Sequence, residues 1–199
     1  MNLPNKITVG RLVISILVLV LLLIPWYSLG VTWPTYLVGS IVVDLKYIVV
    51  GVLFAIGSFS DFLDGYLARK NNLVTDFGKV ADAIADKVLV NGLLILLAYE
   101  RSISIIIPVV IITRDIVVDS CKMLSGSKGK VVAASIMGKI KTICMMVGLT
   151  LVLFYNLPFE LIGLPVADLL LIVATILSVI SGCQYYFNCR EFLFPKTSK

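Results

Sequence analysis

Apolar residues fill six long stretches of the 199-residue chain, and short polar connections separate them. A hydrocarbon core about 30 Å thick needs roughly 20 apolar residues for a helix to cross it. The stretches lie at 12–32, 41–70, 76–99, 102–123, 137–156 and 164–188. They predict an all-α integral membrane protein with six transmembrane helices, organised as a single domain over residues 1–199.

The first eleven residues differ in character from the stretch that follows them. Lys6 and Arg11 stand there beside the apolar Leu3 and Ile7, a composition typical of a segment that lies in the headgroup layer. We therefore expect a short interfacial N-terminal segment ahead of the first transmembrane helix.

Composition agrees with a membrane protein. Hydrophobic residues make up 59% of the chain, charged residues only 15%, and the mean hydropathy is +1.04, whereas soluble domains carry about 25% charged residues. The formal net charge is +5, and the basic residues cluster at the ends of apolar runs, which favours contact with anionic lipid. Membrane lipids are the expected partners, and nucleic acid is not.

The basic residues are distributed unevenly between the two sides of the predicted bundle. The N-terminus, the connections 71–75 and 124–136 and the C-terminal tail are rich in them, whereas the other connections hold only Lys46 and Arg101. Because Lys and Arg accumulate on the cytoplasmic side of membrane proteins, we expect a multi-pass protein of the cell membrane. Both termini and the polar ends of the second to fifth helices would face the cytoplasm.

Five aspartates lie in a strongly charged passage between residues 60 and 87, and four of them form two closely spaced pairs. Asp61 and Asp64 are three residues apart, and Asp82 and Asp86 are four apart, so on helices each pair occupies one face. The short connection at 71–75 makes the second and third helices antiparallel neighbours, which brings the two pairs toward one point. Four ionised carboxylates repel one another unless cations neutralise them, and oxygen ligands favour hard divalent ions. The passage therefore predicts a divalent metal site.

The surrounding residues indicate phosphoryl chemistry at this metal site. Gly65, Ala68 and Gly78 are small residues near the ends of the facing helices, where they permit close backbone approach or leave room for a ligand. Arg69 lies about 12 Å along the helix from Asp61, where its guanidinium could bind a diphosphate. Since the chain has no histidine, a carboxylate is the expected proton acceptor.

Together these residues form a known signature. They fit the pattern DxxDGxxAR, eight residues, GxxxDxxxD without a gap or substitution, and the chain thereby resembles the CDP-alcohol phosphatidyltransferases. PNKITVGR at 4–11, TRD at 113–115 and ASIMGKIKT at 134–142 extend the likeness through most of the chain. The resemblance implies six membrane helices, a homodimer, two divalent cations (Mg²⁺ or Mn²⁺) and transfer of a phosphatidyl group from CDP-diacylglycerol to an alcohol.

The same resemblance implies roles for individual residues. Four aspartates would bind the metals: Asp61, Asp64, Asp82 and Asp86. Asp61 and Asp82 would bridge the two ions, and Asp86 would also act as general base. Six residues would line or edge the site of the CDP moiety: Gly65, Ala68, Arg69, Gly78, Asn5 and Thr8.

A basic cluster on the same side predicts an anionic acceptor. It comprises Arg114, Lys139 and Lys141, with Lys122 behind them. Such a cluster fits the phosphate of glycerol 3-phosphate, the acceptor of the branch that the chain resembles most. Asp115 departs from that branch, where a glutamate is expected after the arginine, and Arg114 can also be interpreted as the ion-pair partner of Asp115.

Two other hypotheses stay open at the level of the sequence. An inositol phosphate acceptor, used by a related branch, would need a basic pocket of the same kind. A divalent metal transporter would also place carboxylates within the membrane, but it would leave Arg69 and the glycines without a purpose.

Overall fold

The computed structural model describes residues 3–70, 75–127 and 135–193, apart from the side chains of residues 3, 4, 62–64, 66–69, 76, 79, 127 and 190–193. Six α-helices account for most of the described residues. They are α1 (Leu3–Leu23), α2 (Leu45–Lys70), α3 (Asp76–Tyr99), α4 (Ile106–Ser127), α5 (Ile136–Leu153) and α6 (Val166–Leu193). The predicted helical fold class is confirmed, and each of the six apolar stretches overlaps one helix.

Hydroxyl side chains fix the start of two of these helices. The Gly78 N–H donates to Thr75 Oγ1 over 3.0 Å at the start of α3, and the Gly138 N–H donates to Ser135 Oγ over 3.1 Å at the start of α5. Each cap satisfies one of the N–H groups that a first helical turn leaves unpaired. The caps therefore determine the residue at which each helix begins. The starting residue in turn determines which face of the helix each following charged residue occupies.

The first helix starts earlier and ends earlier than predicted. α1 runs without a break from Leu3, so the N-terminal residues continue this helix and do not form the separate interfacial segment that we expected. It ends at Leu23, and Pro25 leads into a 3-10 turn at Trp26–Leu29. Because the residue before a proline disfavours the helical conformation, the helix does not extend to residue 32.

A small β-hairpin precedes the second helix. Strands β1 (Thr35–Val38) and β2 (Ile41–Asp44) pair antiparallel, and Gly39 occupies the turn with φ +63°, a conformation that glycine adopts without strain. The prediction that the second helix begins at residue 41 was therefore wrong, because Ile41–Asp44 form strand β2 and the helix begins at Leu45. Two short apolar runs separated by Gly-Ser are a known hairpin signal.

The helices form two groups of three. α1 packs against α2 and α3, while α6 packs against α4 and α5, and the groups meet where α2 contacts α5 and α3 contacts α4. A shared core of fully buried apolar side chains joins them; it includes Phe54, Leu93, Leu97, Leu149 and Leu171. The two groups bring the residues of α1, α2 and α3 beside those of α4, α5 and α6.

Within the part of the chain that the structure describes, three helical stretches are long and apolar enough to cross a membrane: Asn5–Leu23, Ile136–Leu153 and Val166–Cys189. On α1 the apolar residues Val13, Ile16, Leu17 and Val20 form an exposed stripe at helical spacing. Exposed apolar surface of this kind marks contact with lipid or another protein, which supports association with a membrane. Six membrane crossings stay a prediction.

Candidate active site

The start of α1 contacts the start of α3. Thr75 Oγ1 donates a hydrogen bond to Asn5 Oδ1 over 3.0 Å, and Asn5 is buried. A Cβ atom on Gly78 would lie 2.8 Å from Asn5 Oδ1, closer than side-chain atoms approach one another, so glycine permits this contact. Asn5 and Gly78, both predicted for the CDP site, thus lie together, and the buried Thr8 follows one turn later on α1.

Further along α1, Arg11 links α2 to α3. Its Nη1 donates to Asp61 Oδ1 on α2, and its Nη2 donates to Asp82 Oδ1 on α3. Nη2 also donates to the Asp82 carbonyl oxygen at 3.3 Å. The Arg11 side chain is 1% exposed, whereas those of Asp61 and Asp82 are 42% and 48% exposed. The guanidinium therefore lies beneath two carboxylates that remain accessible.

We call Asp61, Asp82 and Arg11 the acidic site. Asp86 lies one turn after Asp82 on α3, in electrostatic range of Arg11 and Asp82. The predicted meeting of the two aspartate pairs is thus found for one member of each pair. The Asp64 side chain lies outside the described residues.

The donor set of the acidic site fits a hard divalent cation. Asp61 and Asp82 already share one cationic group, so their carboxylates are close enough to bind a single positive centre. All the candidate donors are carboxylate oxygens, the ligands that Mg²⁺ and Mn²⁺ prefer. Among the side chains that the structure describes, however, no three acidic or cysteine groups are gathered closely enough to hold a metal ion as they stand.

Three further residues were predicted for the CDP site, and the structure fully describes only one of them, Gly65. It is partly exposed on α2, one residue beyond Asp64. The side chains of Ala68 and Arg69 lie outside the described residues, although α2 continues as a helix to Lys70. The helix therefore places Arg69 on the same element as Asp61, two turns further on.

A second charged cluster lies across from the acidic site, between α4 and α5. Lys141 Nζ donates to both Asp115 carboxylate oxygens, over 2.9 and 3.0 Å, and Arg114 Nη1 donates to Asp115 Oδ1 over 2.8 Å. We call these three residues the basic site. Asp86 is in electrostatic range of Asp115 and Lys141 as well as of Arg11, so it lies between the two sites.

Helix α6 holds Arg114 in place. Arg114 Nε donates to the Ser178 carbonyl oxygen over 3.2 Å, and Nη2 donates to Ser181 Oγ over 2.7 Å. A Cβ atom on Gly182 would lie 2.9 Å from Arg114 Cγ, so the missing side chain makes room for the arginine. The aromatic ring of Tyr185 lies 5.7 Å from Arg114 Cζ, within cation–π range.

The predicted acceptor residues separate into two groups. Arg114 and Lys141 meet at Asp115, and the Lys141 side chain is buried. Lys139 is exposed, because residues two apart on a helix point in nearly opposite directions. Lys122 is also exposed, with Nζ 5.6 Å from the Tyr185 ring centroid.

Sequence reasoning missed several residues of the two sites. Arg11 was assigned to a separate interfacial segment, and the contribution of α6 through Ser178, Ser181 and Gly182 was not foreseen. A signal for Arg11 did exist, since an arginine within a long apolar helix needs a partner and aspartates were in surplus nearby. No comparable signal marks Ser178, which contacts Arg114 through its backbone.

Comparison with known proteins gives a consistent result. The family model described as CDP-alcohol phosphatidyltransferase matches residues 1–180. A protein of Bacillus subtilis is 40% identical over 99% of this chain and 98% of its own length. Proteins of Mycoplasma genitalium (39% identical over 74% of this chain and 63% of that protein) and Rickettsia bellii (31% over 96% and 97%) are also similar. All three are named CDP-diacylglycerol–glycerol-3-phosphate 3-phosphatidyltransferase.

Proposed function

Because the chain belongs to the CDP-alcohol phosphatidyltransferase family, we propose that it transfers the phosphatidyl group of CDP-diacylglycerol to glycerol 3-phosphate. The products are phosphatidylglycerophosphate and CMP, which places the enzyme in anionic phospholipid biosynthesis. The observation that carries the proposal is the placement of an acidic and a basic site on either side of Asp86, in a chain that its named relatives match almost throughout.

The acidic site is the place for the metal ions. Dependence on divalent metal is general in this family, and we assign two ions, Mg²⁺ or Mn²⁺, to Asp61, Asp64, Asp82 and Asp86. When bound, these ions would neutralise the diphosphate of the lipid substrate and polarise the phosphate that is attacked. The shared guanidinium of Arg11 supports this assignment, since it demonstrates that carboxylates of α2 and α3 converge.

Asp86 takes the acceptor proton in this proposal. An acceptor hydroxyl oxygen bonds to the phosphorus of the phosphatidyl group while the bond to CMP breaks, and the hydroxyl proton passes to the Asp86 carboxylate. The position of Asp86 between Asp82 and Lys141 supports this role, because a base must reach both the reacting phosphate and the bound acceptor.

The two substrates bind on opposite sides of Asp86. The CDP moiety occupies the region of Asn5, Thr8, Gly65, Ala68, Arg69 and Gly78. The phosphate of the acceptor binds at Arg114 and Lys141, both of which carry further N–H groups beyond those given to protein partners. Lys139, on the exposed face of α5, would contribute only from the outer edge.

We also propose that the protein is a multi-pass homodimer of the cytoplasmic membrane, with six crossing helices and both termini in the cytoplasm. The apolar stretches of α1, α5 and α6 support the membrane location. The distribution of basic residues supports the orientation, since it puts the acidic and basic sites on the side where the water-soluble acceptor and CMP are found.

Purified protein in detergent tests the proposal directly. With CDP-diacylglycerol, glycerol 3-phosphate and Mg²⁺ it should release CMP and form phosphatidylglycerophosphate, and EDTA should abolish both. Faster CMP release with inositol 1-phosphate than with glycerol 3-phosphate would reassign the acceptor. No CMP release, together with divalent metal flux across liposomes that contain the protein, would replace the enzyme with a transporter.

A further inference from the structure

We propose that Arg11 is a positioning residue of the acidic site, which holds Asp61 and Asp82 from the buried side at the spacing needed for a divalent cation. The inference rests on the metal assignment of the proposed function. It adds to that assignment a residue that lies outside the aspartate signature and on a different helix.

The geometry of the guanidinium is the first argument. Its two terminal nitrogens each donate to a carboxylate of a different helix, Nη1 to Asp61 and Nη2 to Asp82. A planar group with a fixed angle between its donors sets both the distance and the orientation of the two carboxylates. A lysine ammonium is a single point of charge, so it cannot reproduce this constraint.

The side from which Arg11 approaches is the second argument. Arg11 is buried, and the two aspartates are nearly half-exposed above it. Arg11 uses Oδ1 of each carboxylate, which leaves Oδ2 of each outside this bridge. A cation arriving from the open side can therefore bind Asp61 and Asp82 while the guanidinium stays in place.

The electrostatic balance is the third argument. Without Arg11, the carboxylates of Asp61 and Asp82 would repel each other, and α2 and α3 would lose their common partner on α1. Arg11 in turn depends on both aspartates, because a buried guanidinium without counter-charge is unfavourable. Within the described residues Arg11 Nε has no hydrogen-bond partner, so the terminal nitrogens make all the side-chain hydrogen bonds described for Arg11.

Metal affinity measured on variants of the full chain tests the inference. Arg11→Gln removes both the positive charge and the paired terminal nitrogens of the guanidinium. Arg11→Lys keeps the charge but has only one nitrogen in place of the pair. Hydrogen bonds to the ligands of a metal typically change its affinity by about 10- to 100-fold, and we expect both variants to bind Mn²⁺ more weakly by that factor. Lys6→Gln is the matched control, since it removes the same charge from an exposed position on the same helix.

Titration of the purified proteins with Mn²⁺, with free Mn²⁺ followed by electron paramagnetic resonance, gives the affinities. Thermal unfolding in EDTA is recorded in parallel. Weaker Mn²⁺ binding by both Arg11 variants and parent-like binding by Lys6→Gln support the inference. Parent-like binding with reduced thermal stability would show that Arg11 only holds helices together, and tighter binding would show that the guanidinium competes with the metal; either result overturns the inference.

The parent protein supplies a second measurement in case the Arg11 variants do not fold. If Arg11 stays in place, saturating Mn²⁺ should leave amide hydrogen exchange of residues 5–15 unchanged or slower. Faster exchange there would mean that the metal displaces Arg11, and the inference would be wrong. These readouts use neither lipid nor acceptor, so a protein that binds Mn²⁺ in this way but releases no CMP would refute the proposed reaction alone.

Discussion

The acidic and basic sites contain the same kinds of charged group in opposite proportion. In the acidic site two carboxylates, of Asp61 and Asp82, share one guanidinium, that of Arg11. In the basic site two cations, Arg114 and Lys141, share one carboxylate. Each trio is left with one unbalanced charge, negative in the first and positive in the second, which suits the first to cations and the second to anions.

Burial distinguishes the two sites further. In the acidic site the single cation, Arg11, is buried and the two carboxylates are accessible. In the basic site one of the two cations, Lys141, has the most buried side chain of the three residues. The acidic site can therefore accept a cation without changing its internal pairs. The basic site must bind its anion alongside contacts that Arg114 and Lys141 already make with α4 and α6.

The largest effect is expected for the residue between the two sites. Asp86→Asn keeps the shape of the side chain but removes the proton acceptor, so CMP release at saturating substrate should fall by about 10²- to 10⁴-fold. Binding of a CDP analogue, measured by calorimetry, should be retained better in Asp86→Asn than in Asp61→Asn. Equal loss of binding in the two variants would exclude a specific role as base.

The basic site should respond through the acceptor alone. Lys141→Met removes a charged hydrogen-bond donor, a loss of about 1.5–3 kcal/mol, so the KM for glycerol 3-phosphate should rise roughly 10- to 100-fold. The KM for CDP-diacylglycerol should stay near that of the parent. Lys139→Met, two residues away on the exposed face, should raise this KM clearly less. Equal effects of the two variants would show that the buried Lys141 beside Asp115 is no more important for acceptor binding than the exposed Lys139.

Two glycine substitutions should have smaller effects, each on the KM of one substrate, and so distinguish the two substrate sites. In Gly78→Ala the new methyl meets Asn5, and in Gly182→Ala it meets Arg114. At the low end of overpacking costs, about 1 kcal/mol, each should raise one KM roughly fivefold: that for CDP-diacylglycerol in Gly78→Ala and that for glycerol 3-phosphate in Gly182→Ala. Steady-state kinetics with each substrate varied in turn checks this, and the reverse pattern would exchange the substrate assignments.

The smallest effect is expected where charges pair on the surface. Lys87 of α3 pairs with Asp119 of α4, and the Lys87 side chain is largely exposed. Exposed pairs contribute about 0.2–1 kcal/mol, so Lys87→Ala should lower the thermal unfolding temperature by about 4 °C at most and leave CMP release unchanged. A larger loss would indicate that this pair, like that of Arg11, holds helices of the site together.

The acidic part of the site could be predicted because local signals determine it. The second and third helices end and begin at the predicted residues, Lys70 and Asp76, since polar residues and the Thr75 cap mark those positions. The spacing of the aspartates then fixes which of them share a face. The family inferred from this pattern is confirmed by the comparisons.

The remaining contacts depend on tertiary structure that local signals do not specify. Arg11 lies 50 and 71 residues from its two partners, and no periodicity connects positions so far apart. The ion pair between Arg114 and Asp115 was one of two interpretations, and the addition of Lys141 required the packing of α4 and α5 against α6. The separation of Lys139 from Lys141, in contrast, follows from helical geometry and could have been predicted.

The separation of Arg11 from its partners has a consequence for synthesis. The ribosome adds Arg11 well before Asp82, and at about 5–20 residues per second the interval of 71 residues lasts roughly 4 to 14 seconds. During this time the arginine lacks the second of its two carboxylate partners. The bridge closes only after α3 has emerged, so a nascent chain that stops short of Asp82 lacks the contact that ties its first helix to the third.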